Sequence, residues 1–368
     1  MIVPYNYLPM QFSNHDAILA DWEKLIQSTE FTLGSYVENF EKLFAEFIGS
    51  KHVIGTNTGT DALILALKAI GVCPGDEVIS VPVTFYATIG AIVAVGAKPV
   101  FVDIDDRYQM DVNQIRGAIT SKTKAILPVH WGGAAPDMPA IMGIANEHGL
   151  KVVEDACMAP GGRIFEKNSG TFGHANAWSM HPLKPLNVMG DGGMVSTDDD
   201  ELANWMRIYR NHGMVDRDHN SIWGVNMRLQ PLQAIVASHI LKTVHVTVEE
   251  RNKNAEILDE GFKALAPFVI VPPRPAGYLE TYSLYMARFQ KRDELIQYLI
   301  ERGIEAKIHY PVPLHLQEAA RNLGYKEGDF LNSEIYCKEI MTLPAHQYIS
   351  RDQLEYMLSS IANFYSTF

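Results

Sequence analysis

The chain has 368 residues, 47% of them hydrophobic, which excludes a disordered segment and allows about two domains with sizeable cores. A formal net charge of −12, with no run of Lys and Arg, excludes bulk attraction to nucleic acid or to an anionic membrane. Cys73, Cys157 and Cys337 are odd in number and widely spaced, arguing against a disulfide framework. The opening MIVPYNYLPMQFSNHD lacks a basic stretch before an apolar one, and no window holds 18 consecutive apolar residues; the expectation is a soluble cytoplasmic protein.

In chain order, Asp16–Gly49 has apolar residues near helical spacing with a break at Gly34. His52–Thr56 reads as a strand and Thr60–Ile70 as a helix ending at Gly71. Val78–Val81, Pro99–Val102, Ala125–Val129, Lys151–Glu154 and Ala177–Met180 read as further strands, with helices at Thr84–Val95 and Met138–His148. Short apolar strands alternating with helices predict βαβ units and a sheet covered on both faces. Beyond about residue 230 the pattern changes. Pro231–Glu250 reads as one long helix, and Pro272, Pro273 and Pro275 as a linker signal. Thr281–Phe289 reads as a strand, Arg292–Arg302 as a helix, Gly303–Lys307 as a strand and Asp352–Phe364 as a last amphipathic helix. The expected division is a large α/β domain over 1–245 and a smaller α+β domain over 246–368.

Four segments bear on chemistry. In Gly55-Thr56-Asn57-Thr58-Gly59-Thr60-Asp61-Ala62, glycine and small polar residues lie between a strand and a helix, where free N–H groups can cradle a phosphate; Thr60 or Asp61 is equally readable as a plain N-cap. In Val152-Val153-Glu154-Asp155 an acid ends a buried strand. It is placed to face a ligand crevice and pair with a cationic ring nitrogen, or simply to cap a turn. In Ser179-Met180-His181-Pro182-Leu183-Lys184, followed by Gly190-Asp191-Gly192-Gly193, a lysine sits in a short proline-bounded loop. Read alone it is a solvated charge; held away from water it is a nucleophile of lowered pKa. The glycine turn is not a dinucleotide fingerprint, since the third glycine falls on Val195. Gly224-Val225-Asn226-Met227-Arg228 is polar at its centre and says little alone. His309 and His315 are separated by two prolines and lack helical metal-pair spacing, so no metal is expected.

Taken in order, these segments resemble the DegT/DnrJ/EryC1/StrS family of sugar aminotransferases. The likeness extends over almost the whole chain and includes KHVIGTNTGTDALILAL, PGDEVISVPVTFYAT, GAKPVFVDID, KTKAILPVH, VVEDA, SMHPLKPLNVMGDGG, RNHG, WGVNMR and HYPVPLHLQ. The resemblance implies a fold-type-I pyridoxal-phosphate (PLP) transferase with the aspartate aminotransferase fold. That fold has a large domain with a mostly parallel seven-stranded sheet between helices, plus a smaller C-terminal α+β domain. It implies Lys184 as the lysine that carries the cofactor and Asp155 as the acid that keeps the pyridine nitrogen protonated. It further implies Gly59, Thr60 and Ser179 at the phosphate, Phe85 stacked on the ring, and Asn226 supplied by the neighbouring subunit of a homodimer with shared active sites. The implied amino donor is L-glutamate. The acceptor is a keto- or aldehydo-sugar, carried on a nucleotide in most relatives; a free acidic aldehydo-sugar is the alternative. Arg228, Lys307, His309 and Tyr310 are candidates for substrate contact, and Arg228 could grip a carboxylate or phosphate bidentately.

The sequence departs from the family pattern where EDACMAPGG places Met158 at the position of a common Gln, Pro160 at that of a common His, and Trp131-Gly132 after Val129-His130. A thioether is a weak acceptor and no donor. Lys184 argues against the related sugar 3-dehydratases, which carry His there. The lysine, acid and phosphate cradle together argue against a non-catalytic regulator, and the missing G-x-G-x-x-G against a nicotinamide-dependent oxidoreductase.

Overall fold

The computed structural model describes residues 1–366. Seven short strands form its main sheet: β1 (His52–Thr56), β2 (Glu77–Ser80), β3 (Lys98–Phe101), β4 (Thr123–Ile126), β5 (Lys151–Asp155), β6 (Ala175–Ser179) and β7 (Gly193–Thr197). Their order is β1-β7-β6-β5-β4-β2-β3. Only β7 runs against its neighbours, β1 and β6; the other pairings are parallel. The α/β architecture with a mostly parallel seven-stranded sheet is therefore the one expected. Strands buried on both faces need apolar residues at consecutive positions, and these serve two separate cores. Val53 of β1, Trp178 of β6 and Met194 of β7 join one apolar cluster, while their neighbours Ile54, Ala177 and Val195 join the other. That alternation is the two-residue period of the pleat.

Helices close both faces. The principal ones are α1 (Asp16–Ser28), α2 (Ser35–Ile48), α3 (Gly59–Ala69), α4 (Tyr86–Ala94), α5 (Met138–His148), α6 (Asp200–Tyr209), α7 (Pro231–Leu241), α8 (Val244–Phe262), α9 (Arg292–Glu301) and α10 (Arg351–Tyr365). Leu63 and Leu67 of α3, Ala91 and Ile92 of α4, Ile141 of α5 and Met206 of α6 cover one face. Leu25 of α1, Phe40 and Phe44 of α2, and Ile235 of α7 cover the other. A second sheet, β8 (Val269–Ile270), β9 (Tyr285–Phe289) and β10 (Ile340–Leu343), is antiparallel in that order. It has its own core, with Leu258 of α8, Leu295 and Leu299 of α9, Met357 and Ile361 of α10, and Val3 from the other end of the chain. No helix among the described residues is long and apolar enough to cross a membrane.

Three elements differ from expectation. The helix expected over Pro231–Glu250 breaks at Lys242–Thr243, where the β-branched run Thr243, Val244, Val246, Thr247 and Val248 lowers helix propensity. The strand expected from Thr281 starts only at Tyr285. Tyr282 has φ +43°, and the amides of Thr281 and Leu284 donate to the carbonyls of Gly133 and Gly132 instead of to a ladder. Gly303–Lys307 makes only isolated bridges, Ile304 to Val3 and Lys307 to Thr342.

The middle of β1 is locked by a buried ion pair between Glu41 of α2 and Arg210. Glu41 accepts from the Gly55 amide at 2.7 Å and Arg210 donates to the Gly55 carbonyl at 2.7 Å. Removing one member strands the other charge in the interior, at a cost of about 3–5 kcal/mol. Glu41→Ala is accordingly expected to lower the unfolding free energy by about that amount in a denaturant titration; a loss below about 1 kcal/mol would show that the pair does not hold β1.

Candidate functional site

All strands of the main sheet except β7 point the same way, so their C-terminal ends share one edge, where open α/β sheets bind ligands. At the end of β1 the chain turns into α3. The Thr58 hydroxyl caps that helix, accepting from the Asp61 amide at 2.9 Å. The amides of Gly59 and Thr60 have no hydrogen-bond partner among the described residues, and the helix dipole favours an anion there. Gly59 is packed so closely that a β-carbon on it would lie 2.7 Å from Ser179 Cβ and 3.3 Å from Cys157 Sγ. The glycine thus lets the end of β6 close up against the start of α3.

At the end of β5, two acids alternate. Glu154 is fully buried and accepts from the amides of Gly170, Phe172 and Gly173 and pairs with His130 at 2.8 Å. It is committed to the turn before β6. Asp155 faces the other way. Its Oδ2 accepts from the Thr88 hydroxyl at 2.7 Å, and its Oδ1 from the Cys157 amide at 3.3 Å, with the Cys157 thiol also against the carboxylate. Thr84 and Thr88 hydroxyls lie 2.8 Å apart behind it.

Lys184 lies in the loop after β6, half-buried. Burial pushes its pKa down, with Cys157 and Asp155 opposing the shift. No hydrogen bond or ion pair engages its Nζ among the described residues. Its carbonyl, by contrast, is held twice, by the Tyr7 hydroxyl at 3.0 Å and by Asn187 Nδ2 at 2.9 Å. Asn187 in turn exchanges two 3.1 Å bonds with Gln11. The preceding Leu183 sits at φ +71°, a conformation that needs such outside support.

An aromatic wall borders these groups. Phe85 is 54% exposed and precedes α4; its ring centroid is 6.3 Å from that of Tyr310 and 5.7 Å from that of Tyr86. Tyr310 also approaches Trp131, at 6.1 Å, and His309, at 6.0 Å. Burial and then Asp155 push the Tyr310 hydroxyl up. His309 Nδ1 lies 3.1 Å from the Thr342 hydroxyl. Burial, then Lys307 and Lys184, lower its pKa to about 4. Lys307 is exposed, 4.8 Å above the Tyr5 ring. Met158 Sδ accepts from the Gly132 amide at 3.2 Å, so its sulfur is occupied by the backbone.

The structure therefore gathers Gly59, Thr60, Ser179, Asp155, Lys184, Phe85, His309 and Tyr310 at one edge, with Lys307 beside them. Asn226 and Arg228 sit on a loop that bridges the end of β1 just before the cradle, with Asn57 bonded to the Met227 carbonyl, but not among these groups. Asn226 is exposed, on the same loop as Trp223, itself 90% exposed. Arg228 bridges Thr56 and donates to Asn211 Oδ1 at 2.9 Å, with its Nε buried and unpartnered. No hydrogen bond, ion pair or ring contact links either to Lys184 or Asp155 among the described residues. Sequence reasoning passed over Thr88 and Thr84, although their four-residue spacing at a helix start was a signal; Tyr7 and Asn187 carried none.

The sequence profile of the DegT/DnrJ/EryC1/StrS aminotransferase family matches residues 13–362. The chain is 42% identical over 351 residues to a pleiotropic regulatory protein of Geobacillus stearothermophilus, covering 94% of each. It is 40% identical over 340 residues to the UDP-N-acetyl-3-dehydro-alpha-D-glucosamine 3-aminotransferase of Acidithiobacillus ferrooxidans, covering 92% of this chain and 91% of that one. Its fold superposes with a TM-score of 0.95 and 34% identity on DesV of S. venezuelae in complex with a ketimine intermediate, covering 99% of this chain and 98% of the other.

The two histidines at about 4, His309 and His346, set a pH dependence of stability. Unfolded histidine titrates near 6.5, so between about pH 6.5 and 4 the unfolded chain binds the extra protons. Stability is full above that window and falls as pH drops through it. In thermal melts from pH 7 to 4.5, His309→Asn is expected to fold less stably than wild type at pH 7 but to lose less on acidification. Parallel curves would place the acid sensitivity elsewhere.

Proposed function

The chain belongs to the DegT/DnrJ/EryC1/StrS aminotransferase family and is a PLP-dependent sugar aminotransferase; on that premise we propose its donor, its acceptor and the parts its residues play. The donor is L-glutamate and the acceptor a keto-sugar carried on a nucleotide. The observation that carries the residue roles is Lys184, of lowered pKa and unpartnered at Nζ among the described residues, beside a buried carboxylate and the open amides at the start of α3.

These groups fit PLP. The Gly59 and Thr60 amides and the Ser179 hydroxyl, brought together by the glycine contact, would hold the phosphate. Asp155 Oδ1, held otherwise by Cys157 alone, would accept from the protonated ring nitrogen, and Phe85 would stack on the ring. When bound, PLP supplies a carbonyl that takes up the amino group and a ring that withdraws electrons from the adjoining carbon. Lys184 Nζ would anchor the cofactor and, when free, would move a proton from the donor Cα. Burial lowers its pKa, which favours the neutral form that a base requires. The same groups would serve the sugar carbonyl in the reverse direction.

His309, Tyr310 and Lys307 border the open side and are the proposed contacts for the donor carboxylates and the sugar. His309 is neutral at physiological pH, so Lys307 is the charged member. The exposed loop bearing Asn226 and Arg228 would complete the phosphate and substrate sites of a second copy, making a homodimer with shared sites. The named activity of the Acidithiobacillus ferrooxidans relative supports a nucleotide-linked keto-sugar as acceptor.

Purified protein supplied with PLP is expected to be yellow and to bleach on adding L-glutamate without sugar; Lys184→Ala should not bleach. Asp155→Ala should slow bleaching by on the order of 100-fold or more. Colour should return with the correct nucleotide-linked keto-sugar. A wild type that stays colourless with added PLP would overturn the assignment, and a yellow protein indifferent to glutamate would require another donor.

A further inference from the structure

We propose that Thr88, backed by Thr84, is a positioning residue for the reaction. Its hydroxyl fixes the Asp155 carboxylate in one orientation and leaves Oδ1 for the cofactor ring nitrogen. This rests on Asp155 meeting that nitrogen.

The direction of each hydrogen bond is forced. An ionised carboxylate only accepts, so Thr88 must donate its single proton to Asp155 Oδ2, at 2.7 Å. Its oxygen is then an acceptor, so Thr84 must donate to it, at 2.8 Å. All three side chains are buried, so no water competes and the chain Thr84–Thr88–Asp155 has one polarity. Within a helix, threonine commonly bonds back to the carbonyl four residues earlier. Thr88, in the first turn of α4, instead meets the side chain of the residue four earlier and gives its proton to a strand 67 residues away.

The placement also links two parts of the cofactor pocket. Phe85 caps α4, and the Thr88 amide donates to the Phe85 carbonyl at 3.1 Å. The same turn therefore sets the aromatic ring and, through Thr88, the carboxylate. A shift of α4 would move both together. With Thr88 replaced by an isosteric valine, Asp155 loses its short bond, keeps only its contacts with Cys157, the amide one at 3.3 Å, and is freer to rotate away from the ring nitrogen.

A purely structural role, pinning α4 to β5, predicts different results, so the test separates the two. Thr88→Val, Thr88→Ser, Thr84→Val and Asp155→Ala, and the Thr88→Val/Asp155→Ala double variant, are prepared as apoproteins and compared by circular dichroism and melting temperature. PLP affinity is then measured by equilibrium dialysis, the pH dependence of the bound-cofactor absorbance is recorded, and the glutamate half-reaction is followed in single turnover. Thr88→Val is expected to weaken PLP binding about tenfold and slow the half-reaction about 10–100-fold, the scale of one charge-assisted hydrogen bond. Its half-saturating glutamate concentration should stay within about twofold, and the absorbance titration should shift. Thr88→Ser should restore all three, and Thr84→Val should lose less, because Thr88 still reaches Asp155. In the Asp155→Ala background Thr88→Val should change nothing further.

A Thr88→Val protein equal to wild type in affinity, titration and rate, while Asp155→Ala is impaired, would overturn the proposal. So would a Thr88→Val defect that persists undiminished in the Asp155→Ala background, which would assign it to packing. Asp155→Ala indistinguishable from wild type would remove the assigned role of Asp155 itself, and this inference with it.

Discussion

The site depends on the register of two neighbouring strands. β5 and β6 are parallel and pair Asp155 with Ala177, so both end at the same edge and their continuations share one floor. One continuation carries the carboxylate and Cys157, the other Ser179 and the loop of Lys184. The pleat then divides the acids: Glu154 turns toward the Gly170–Gly173 amides and Asp155 toward Thr88. A slip of one residue would exchange them, sending the committed acid to the open floor and leaving the turn before β6 unsatisfied.

Burial does opposite things to the charged groups, depending on partners. Glu154, with its three amides and His130, and Glu41, with Arg210 and Gly55, are buried and satisfied, and they hold backbone in place. Lys184 is desolvated and has no partner for Nζ among the described residues, and His309 is desolvated beside two lysines. The fold thus gives the two backbone-holding carboxylates their partners and leaves the lysine amine without one among the described residues. Unmet groups at a ligand edge are where chemistry is found.

Much of this was legible in the sequence because local signals and tertiary structure agree. The run Val152-Val153-Glu154-Asp155 marks a strand buried on both faces, and the small polar stretch ending at Thr58 and Gly59 marks a helix start. Lys184 alone looks like a surface charge; only the order of the surrounding motifs gave it a role. What stayed hidden depends on contacts between distant residues. Thr281 continues a β-like run, yet its amide is taken by Gly133, about 150 residues earlier in the chain. The Thr88 hydroxyl is an ordinary helix residue until β5 supplies its acceptor. Tyr7 is an aromatic in an irregular segment, and nothing nearby in sequence shows that it holds the Lys184 carbonyl.

The first few residues have a further consequence. Val3 bridges Ile304, the Pro4 carbonyl meets His346, Tyr5 bonds Thr342, and Tyr7 reaches Lys184. This segment is therefore stitched to residues about 300 or more positions away and, through Tyr7, to the lysine loop. The lysine loop lacks one of its two carbonyl clamps whenever this segment is undocked. A change at Tyr7 would thus act on the lysine from a distance, with no contact to its amine.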